Sequence, residues 1–206
     1  MHAFVVIDFE TSGLSPAYGA RPTEVALVRV EGRQVVDRYQ SLMNAGVRVP
    51  PDIQALTGIT NAMLRTAPPA ARVMEEAARF VGSTPLLAHN AAFDSKFWEA
   101  EMARLGRPAG HPFLCSLLLA RRLYPELPNH KLGTLVSSLG LTMEGRAHRA
   151  LADAQATAEV LFHMLDTLET RHRLPAQRIH LETLARLQKT PAAKVGAVMG
   201  ELRGEG

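Results

Sequence analysis

The stretch "VVIDFETSGL" (residues 5–14) ends an apolar, β-branched run on two acids, Asp8 and Glu10. Side chains two residues apart on a strand share a face, with Cα atoms about 6.5–7 Å apart. Both carboxylates therefore point to one spot. Like charges so placed raise each other's pKa unless a cation lies between them, and hard oxygen ligands without His or Cys favour Mg²⁺ or Mn²⁺. Taken alone, D-x-E reads more readily as a strand surfacing into water. Further acids at suitable places are needed to reverse that reading.

Two segments supply them. In "LLAHNAAFDSKF", Asp94 falls in the first turn of a helix that follows a short apolar run. The macrodipole favours acids there in any protein, but if the apolar run is a strand beside the first one, Asp94 joins the face of Asp8 and Glu10. In "AHRALADAQAT", Asp153 projects from the start of a long helix, and His148 sits five residues earlier, short of the helix body and freer to move. An unperturbed His pKa of about 6.5 suits removing a proton from water. Four carboxylates can hold two divalent ions about 3.5–4 Å apart, one lowering the pKa of an attacking water and the other stabilising a leaving oxygen, as in phosphodiester cleavage. Such ions would also let a slightly acidic body accept a polyanion.

The elements that must position these residues follow from periodicity. "AFVVIDF", "EVALVRV" and "QVVDRYQSLM" read as three successive strands, joined by the Gly/Pro loop "TSGLSPAYGARP" and the tight turn "EGRQ", which predicts an antiparallel meander. "AARVMEEAARFVG" has helical spacing and "PLLAHN" reads as a short buried strand. "AAFDSKFWEAEMARLG" reads as a helix with Asn90 near its N-cap and Gly106 as its stop. "LCSLLLARRLYP" and "KLGTLVSSLG" read as shorter helices, and "RALADAQATAEVLFHMLDTLETRHRL" as a long one ending before Pro175. A meander followed by alternating elements implies an α/β protein with a mixed sheet.

The chain has 206 residues, 47% of them hydrophobic, enough for one domain of about 172 residues with an appendage over 173–206. No stretch approaches the roughly 20 apolar residues a membrane span requires, and there is no secretory leader pattern. The lone Cys115 can form no internal disulfide and no cysteine zinc cluster, and reads as a buried core residue in a reducing cytoplasm. Net charge is +3, and residues 171–206 carry seven basic against three acidic side chains. A basic tail suits a polyanion or an acidic protein, or is a solvated face. Within it, "AQRIHLETLARLQK" predicts one helix, and the Gly/Ala-rich end is expected to fray. Truncation after about residue 172 should then spare hydrolysis of a short substrate.

The three acidic segments, in order and separation, resemble the DEDD exonucleases of the His subtype. These are 3′→5′ exonucleases of the RNase T superfamily on a ribonuclease H-like fold, and include the proofreading epsilon subunit of bacterial replicative DNA polymerase. The likeness covers roughly residues 3–168. It implies a mixed five-stranded sheet flanked by helices, Asp8, Glu10, Asp94 and Asp153 as ligands of two ions, and His148 as general base. "ALTGITNAML" is similar to the loop that packs on the terminal nucleotide, with Leu56 as its apolar contact; Thr57 stands where epsilon subunits commonly carry His. "NHKLGTLVSSLGL" resembles the family's KLxxL helix. The same likeness places Thr11, Ser12 and Gly13 at the 3′ end of the substrate, and Asn90 and Phe93 around its terminal nucleotide.

The resemblance implies single-stranded or frayed DNA 3′ ends as substrate, with nucleoside 5′-monophosphates as products and a place in replication. Residues 175–206 would contact a polymerase subunit. An exoribonuclease, as in RNase T and oligoribonuclease, and an inactive polymerase-associated module remain alternatives. Other chemistry lacks support: there is no G-x-S-x-G elbow, no phosphate-binding Gly-rich loop with Lys and no H-E-x-x-H.

Overall fold

A computed structural model describes residues 3–143 and 145–204. Glu144, ahead of His148, and residues 205–206, at the end of the expected tail, lie outside them. The run around Ile7 forms the central strand β1 (Phe4–Thr11), which pairs antiparallel with β2 (Pro22–Glu31). In turn β2 pairs antiparallel with β3 (Gln34–Leu42), completing the expected meander. On its other edge β1 runs parallel to β4 (Leu86–Ala88), and β4 to β5 (Phe113–Cys115). The order β3-β2-β1-β4-β5 is the mixed five-stranded sheet that the α/β reading requires.

Among the described residues the helices are α1 (Pro51–Thr57), α2 (Asn61–Thr66), α3 (Ala70–Val81), α4 (Ala91–Arg104), α5 (Ser116–Leu123), α6 (Leu132–Ser138), α7 (Ala150–Thr170), α8 (Leu181–Lys189) and α9 (Val195–Arg203). They cover both faces of the sheet, which is why β1 is an almost unbroken apolar run rather than an alternating one. Val5, Ile7 and Phe9 pack with Val25, Leu27 and side chains of α3 and α4. Phe4 and Val6 pack with Ala26, Val28 and side chains of α5, α6 and α7. This alternation decides the site. Asp8 and Glu10, in phase with Phe4 and Val6, face the α7 layer, whereas α4 approaches from the opposite layer.

Three elements differ from the sequence reading. "LCSLLLARRLYP" does not start as a helix: Phe113–Cys115 is an edge strand, with Leu114 beside Leu87, too short for periodicity to betray it. The segment around "ALTGITNAML" is not an open loop but α1 and α2. Pro51 opens α1, Gly58 ends it at a left-handed φ of 75°, and the Thr60 hydroxyl caps α2 by accepting from Met63 N at 3.2 Å. The C-terminal segment forms two helices rather than one and does not fray over residues 195–203. Its apolar residues explain this: Ile179, Leu184, Leu187 and Met199 are buried in the same core as α5 and α7. Gln188 Oε1 also accepts from the Cys115 backbone N–H at 2.7 Å, tying α8 to β5. Cys115 is free and buried, and Trp98 lies wholly in the core. Among the described residues no helix is long and apolar enough to cross a membrane.

Candidate active site

At the end of β1, Asp8, Glu10 and Asp153 each offer a carboxylate oxygen within 4.8 Å of the others. Two come from the α7-facing side of β1, and the third from the first turn of α7 as it crosses that face. Asp94 is not part of this trio. It begins α4 on the other layer and reaches the site past the C-terminal end of β4. Val5 N–H donates toward β4, to Pro85 O at 2.9 Å, and backbone N–H groups of alternate residues point the same way. Because β4 ends at Ala88, Phe9 N–H outruns it, and Asp94 Oδ1 accepts that proton at 3.2 Å. The acid therefore sits against the backbone between Asp8 and Glu10, and is 3% exposed.

Burial shifts all four of these acids upward, and neighbouring acids add to it at Asp8, Glu10 and Asp94. Burial raises Asp8 well above the carboxylate range, with Asp94, Asp153, Glu10 and Glu24 adding to it. Glu10 is pushed up to about 8 by burial, then by Asp153 and Glu24, with Arg149 opposing. Asp94 is likewise at about 8, burial outweighing the bond from Phe9 N–H. Asp153 is raised by burial, although the His148 N–H lowers it. A carboxylate-only cluster that prefers to hold protons when no metal is near is a donor set suited to hard divalent cations. The residues present fit Mg²⁺ or Mn²⁺.

His148 lies on the exposed segment ahead of α7 at a left-handed φ of 61°, its backbone N–H donating to Asp153 Oδ2 at 3.1 Å. Arg146, on the same segment, donates through Nη2 to Ala55 O at 3.3 Å and Leu56 O at 3.5 Å. The His148 segment is thus fastened to the C-terminus of α1, beside Leu56, whose side chain is 51% exposed. Thr57 differs from Leu56. It is 2% exposed, and its hydroxyl donates to Ile53 O at 2.9 Å and accepts from Ile59 N–H at 3.1 Å. Its polar group is used inside the α1–α2 turn and is not offered to a substrate.

The loop after Glu10 is built by its own polar groups. Thr11 Oγ1 donates to Gly13 O at 2.7 Å, and Ser12 Oγ accepts from Arg21 N–H at 3.0 Å. Arg21 in turn grips the buried Glu101 of α4 through two bonds of 2.6 and 2.7 Å, bracing the loop to the helix that carries Asp94. Each hydroxyl thus gives one bond to the shape of the loop and keeps further capacity, Ser12 as a donor and Thr11 as an acceptor. Asn90 occupies the N-cap of α4, exposed and left-handed at φ 69°, with no capping bond from its side chain. Phe93 is half-buried, its ring 5.0 Å from that of Phe97.

Sequence reasoning passed over one buried acid beside the cluster. Glu24 of β2 stands directly opposite Glu10 in the β1–β2 ladder and is 0% exposed. Arg149 donates to it twice, from Nη2 at 2.7 Å and Nε at 3.1 Å, Ala150 N–H donates at 3.1 Å, and Gln40 Nε2 at 2.8 Å. Burial raises its pKa, but these bonds outweigh burial and hold the carboxyl below the usual range. The signal was present: an acid within a strand of "TEVALVRV" apolarity is rarely buried unless paired.

A model of the exonuclease family matches residues 5–161. The chain is 36% identical over 166 residues to the DNA polymerase III subunit epsilon of Aquifex aeolicus, covering 80% of this chain and 81% of that one. It is 39% identical over 166 residues to the PolC-type DNA polymerase III of Oceanobacillus iheyensis, where it covers 80% of this chain but spans only 12% of the relative. Among solved structures, exonuclease X in complex with 5′ overhanging duplex DNA superposes with a TM-score of 0.70 at 26% identity, covering 90% of this chain and 99% of that one. The sheet and its flanking helices match this neighbour's ribonuclease H-like fold.

Proposed function

The chain belongs to the exonuclease family, and from that premise we propose that it is a metal-dependent 3′→5′ exonuclease releasing nucleoside 5′-monophosphates from single-stranded or frayed DNA ends. The observation that carries the reading is the convergence of the Asp8, Glu10 and Asp153 oxygens within 4.8 Å, with Asp94 anchored beside them on Phe9 N–H. These four acids would hold two Mg²⁺ or Mn²⁺ ions. Bound there, such ions would lower the pKa of an attacking water and stabilise the charge of a leaving oxygen.

The rest falls to the chain's own groups. A ring nitrogen of His148 takes the proton from the attacking water; its exposed position leaves it open to solvent, and its neighbour Asp153 keeps the segment at the site. Leu56 presents an apolar side chain for the terminal base, and Phe93 a ring edge. The braced Thr11–Gly13 turn would meet the 3′ end; the Ser12 N–H is held by Arg21 O at 2.9 Å, while the Ser12 hydroxyl, which only accepts inside the loop, keeps a proton to donate. DNA is preferred as substrate because the relatives at 36–39% identity are DNA polymerase III proteins. Contact with a polymerase subunit would use the exposed basic face of residues 175–206 rather than a free arm, in the cytoplasm.

Product analysis on 5′-labelled DNA and RNA oligomers with Mg²⁺ or Mn²⁺ tests the proposal. A ladder shortening from the 3′ end, faster on DNA, is expected. Preference for RNA would replace it with an exoribonuclease, and no turnover on either with an inactive module.

A further inference from the structure

Glu24 and Glu10 face each other across two antiparallel strands, on the α7 side of the sheet. Like charges so placed repel, and among the described residues Arg149 is the cation seen to bond to the pair. The Arg149 guanidinium is committed by two bonds to Glu24, the residue directly opposite Glu10 in the ladder. We infer that Glu24 is a positioning residue: by holding Arg149 in a bidentate grip it fixes the turn between His148 and Asp153 to the sheet, and keeps the guanidinium from pairing with Glu10.

Both halves follow from the geometry. Arg149 is the N-cap of α7, and Ala150, the first residue of that helix, donates its N–H to the same Glu24 carboxylate. One acid therefore receives a side chain and a backbone group from the start of the helix that carries Asp153 at its first turn. The fork geometry of a bidentate Arg–carboxylate pair fixes orientation as well as distance. The Arg149 side chain is 33% exposed while that of Glu24 is 1% exposed, so the arginine can turn where the acid cannot. Without Glu24, the carboxylate across the ladder is Glu10. A guanidinium on Glu10 would compete with a metal for the same oxygens.

The inference rests on the metal reading of Asp8, Glu10 and Asp153, and Mn²⁺ binding measured by calorimetry separates the two. If the wild-type protein binds no Mn²⁺, the metal reading fails. If wild type binds, Glu24→Gln should bind about 10- to 100-fold more weakly, as expected when an outer partner of a metal site is lost. The double variant Glu24→Gln/Arg149→Gln should recover to within about threefold of wild type, because no guanidinium remains to occupy Glu10, while its kcat stays low. Glu24→Asp, which keeps the charge, should restore much of the Mn²⁺ affinity. Wild-type affinity in Glu24→Gln, or a double variant that binds no better than it, overturns the inference. Should Glu24→Gln not fold, Arg149→Gln decides. Wild-type Mn²⁺ affinity with kcat reduced at least about tenfold supports the assignment, and lost Mn²⁺ binding overturns it.

Discussion

The backbone N–H of His148, not its imidazole, bonds Asp153 Oδ2, at 3.1 Å, with His148 in the left-handed region at φ 61°. Position and chemistry are therefore carried by different parts of one residue. His148→Ala should keep the bond that braces Asp153, and with it most of the Mn²⁺ affinity, while kcat falls by about 10²–10⁴-fold, the usual share of a general base. His148→Gly should lose as much activity but be at least as stable, since glycine accepts that φ without strain. Parallel calorimetry, single-turnover rates and thermal melts check this; Mn²⁺ binding lost in both variants would make the imidazole a ligand instead.

Asp8 is the acid crowded from most sides, by Asp94, Asp153, Glu10 and Glu24 as well as by burial. Asp8→Asn should abolish turnover and yet raise the melting temperature of the metal-free protein near neutral pH, because it removes a carboxyl that ionises freely in the unfolded chain but is opposed by burial and neighbouring acids in the fold. The same change should erase the stabilisation that Mn²⁺ gives the wild type. A metal-free variant that melts below wild type would count against the electrostatic account of the site.

The pH dependence has a definite sign. Glu10 and Asp94 hold protons up to about 8 in the folded chain, against ordinary values of 4.5 and 3.8 when unfolded. Groups with raised acid pKa values stabilise the fold fully below their unfolded range, and that stability is lost as pH climbs through about 8. Metal-free protein should therefore lose stability between about pH 5 and 8. Mn²⁺ should restore more of it at the upper end, releasing protons as it binds. Melting curves at stepped pH with and without Mn²⁺, and binding heats in buffers of different ionisation enthalpy, measure both; a flat profile or no proton release would refute the shifts.

The acids were legible because each sits where periodicity changes: Asp8 and Glu10 at the end of an apolar run, Asp94 and Asp153 at the starts of helices. What stayed hidden was decided across the chain. Asp94 comes from the other layer than Asp153 and is held by a backbone N–H that is free only because β4 is three residues long. Glu24 reads as a strand residue until Arg149, 125 positions later, is seen to meet it. The strand β5 is recognisable only by pairing with β4, and α1 and α2 are too short for a clear hydrophobic period.

Leu56 and Thr57 are neighbours with opposite exposure, 51% and 2%. Leu56→Ala should raise KM for oligonucleotides several-fold and leave the melting temperature nearly unchanged. Thr57→Val should do the reverse, costing about 1–3 kcal/mol because Ile59 N–H loses its partner in a buried turn, with KM little altered. Steady-state kinetics and thermal melts on the pair separate the two roles. A KM effect confined to Thr57 would return the hydroxyl to the substrate.

Deletion of residues 173–206 should not leave a working domain. It would strip Leu174, Ile179, Leu184, Leu187 and Met199 from the core shared with α5 and α7, each worth about 1.5–3 kcal/mol of burial. Together these losses reach the whole stability of an ordinary domain, about 5–15 kcal/mol. Cys115 N–H would also lose Gln188, and the Arg122 Nε that bonds Thr190 O at 2.9 Å would lose its acceptor. The truncated chain should be insoluble or bind hydrophobic dyes, and be inactive even on short oligomers. A partner or polyanion role for this segment is therefore tested by charge rather than by deletion. Lys189→Ala/Lys194→Ala, both on exposed positions, should preserve the melt and short-oligomer turnover, while reducing the affinity for long single strands and its salt dependence. A soluble, fully active truncation would instead make the segment a true appendage.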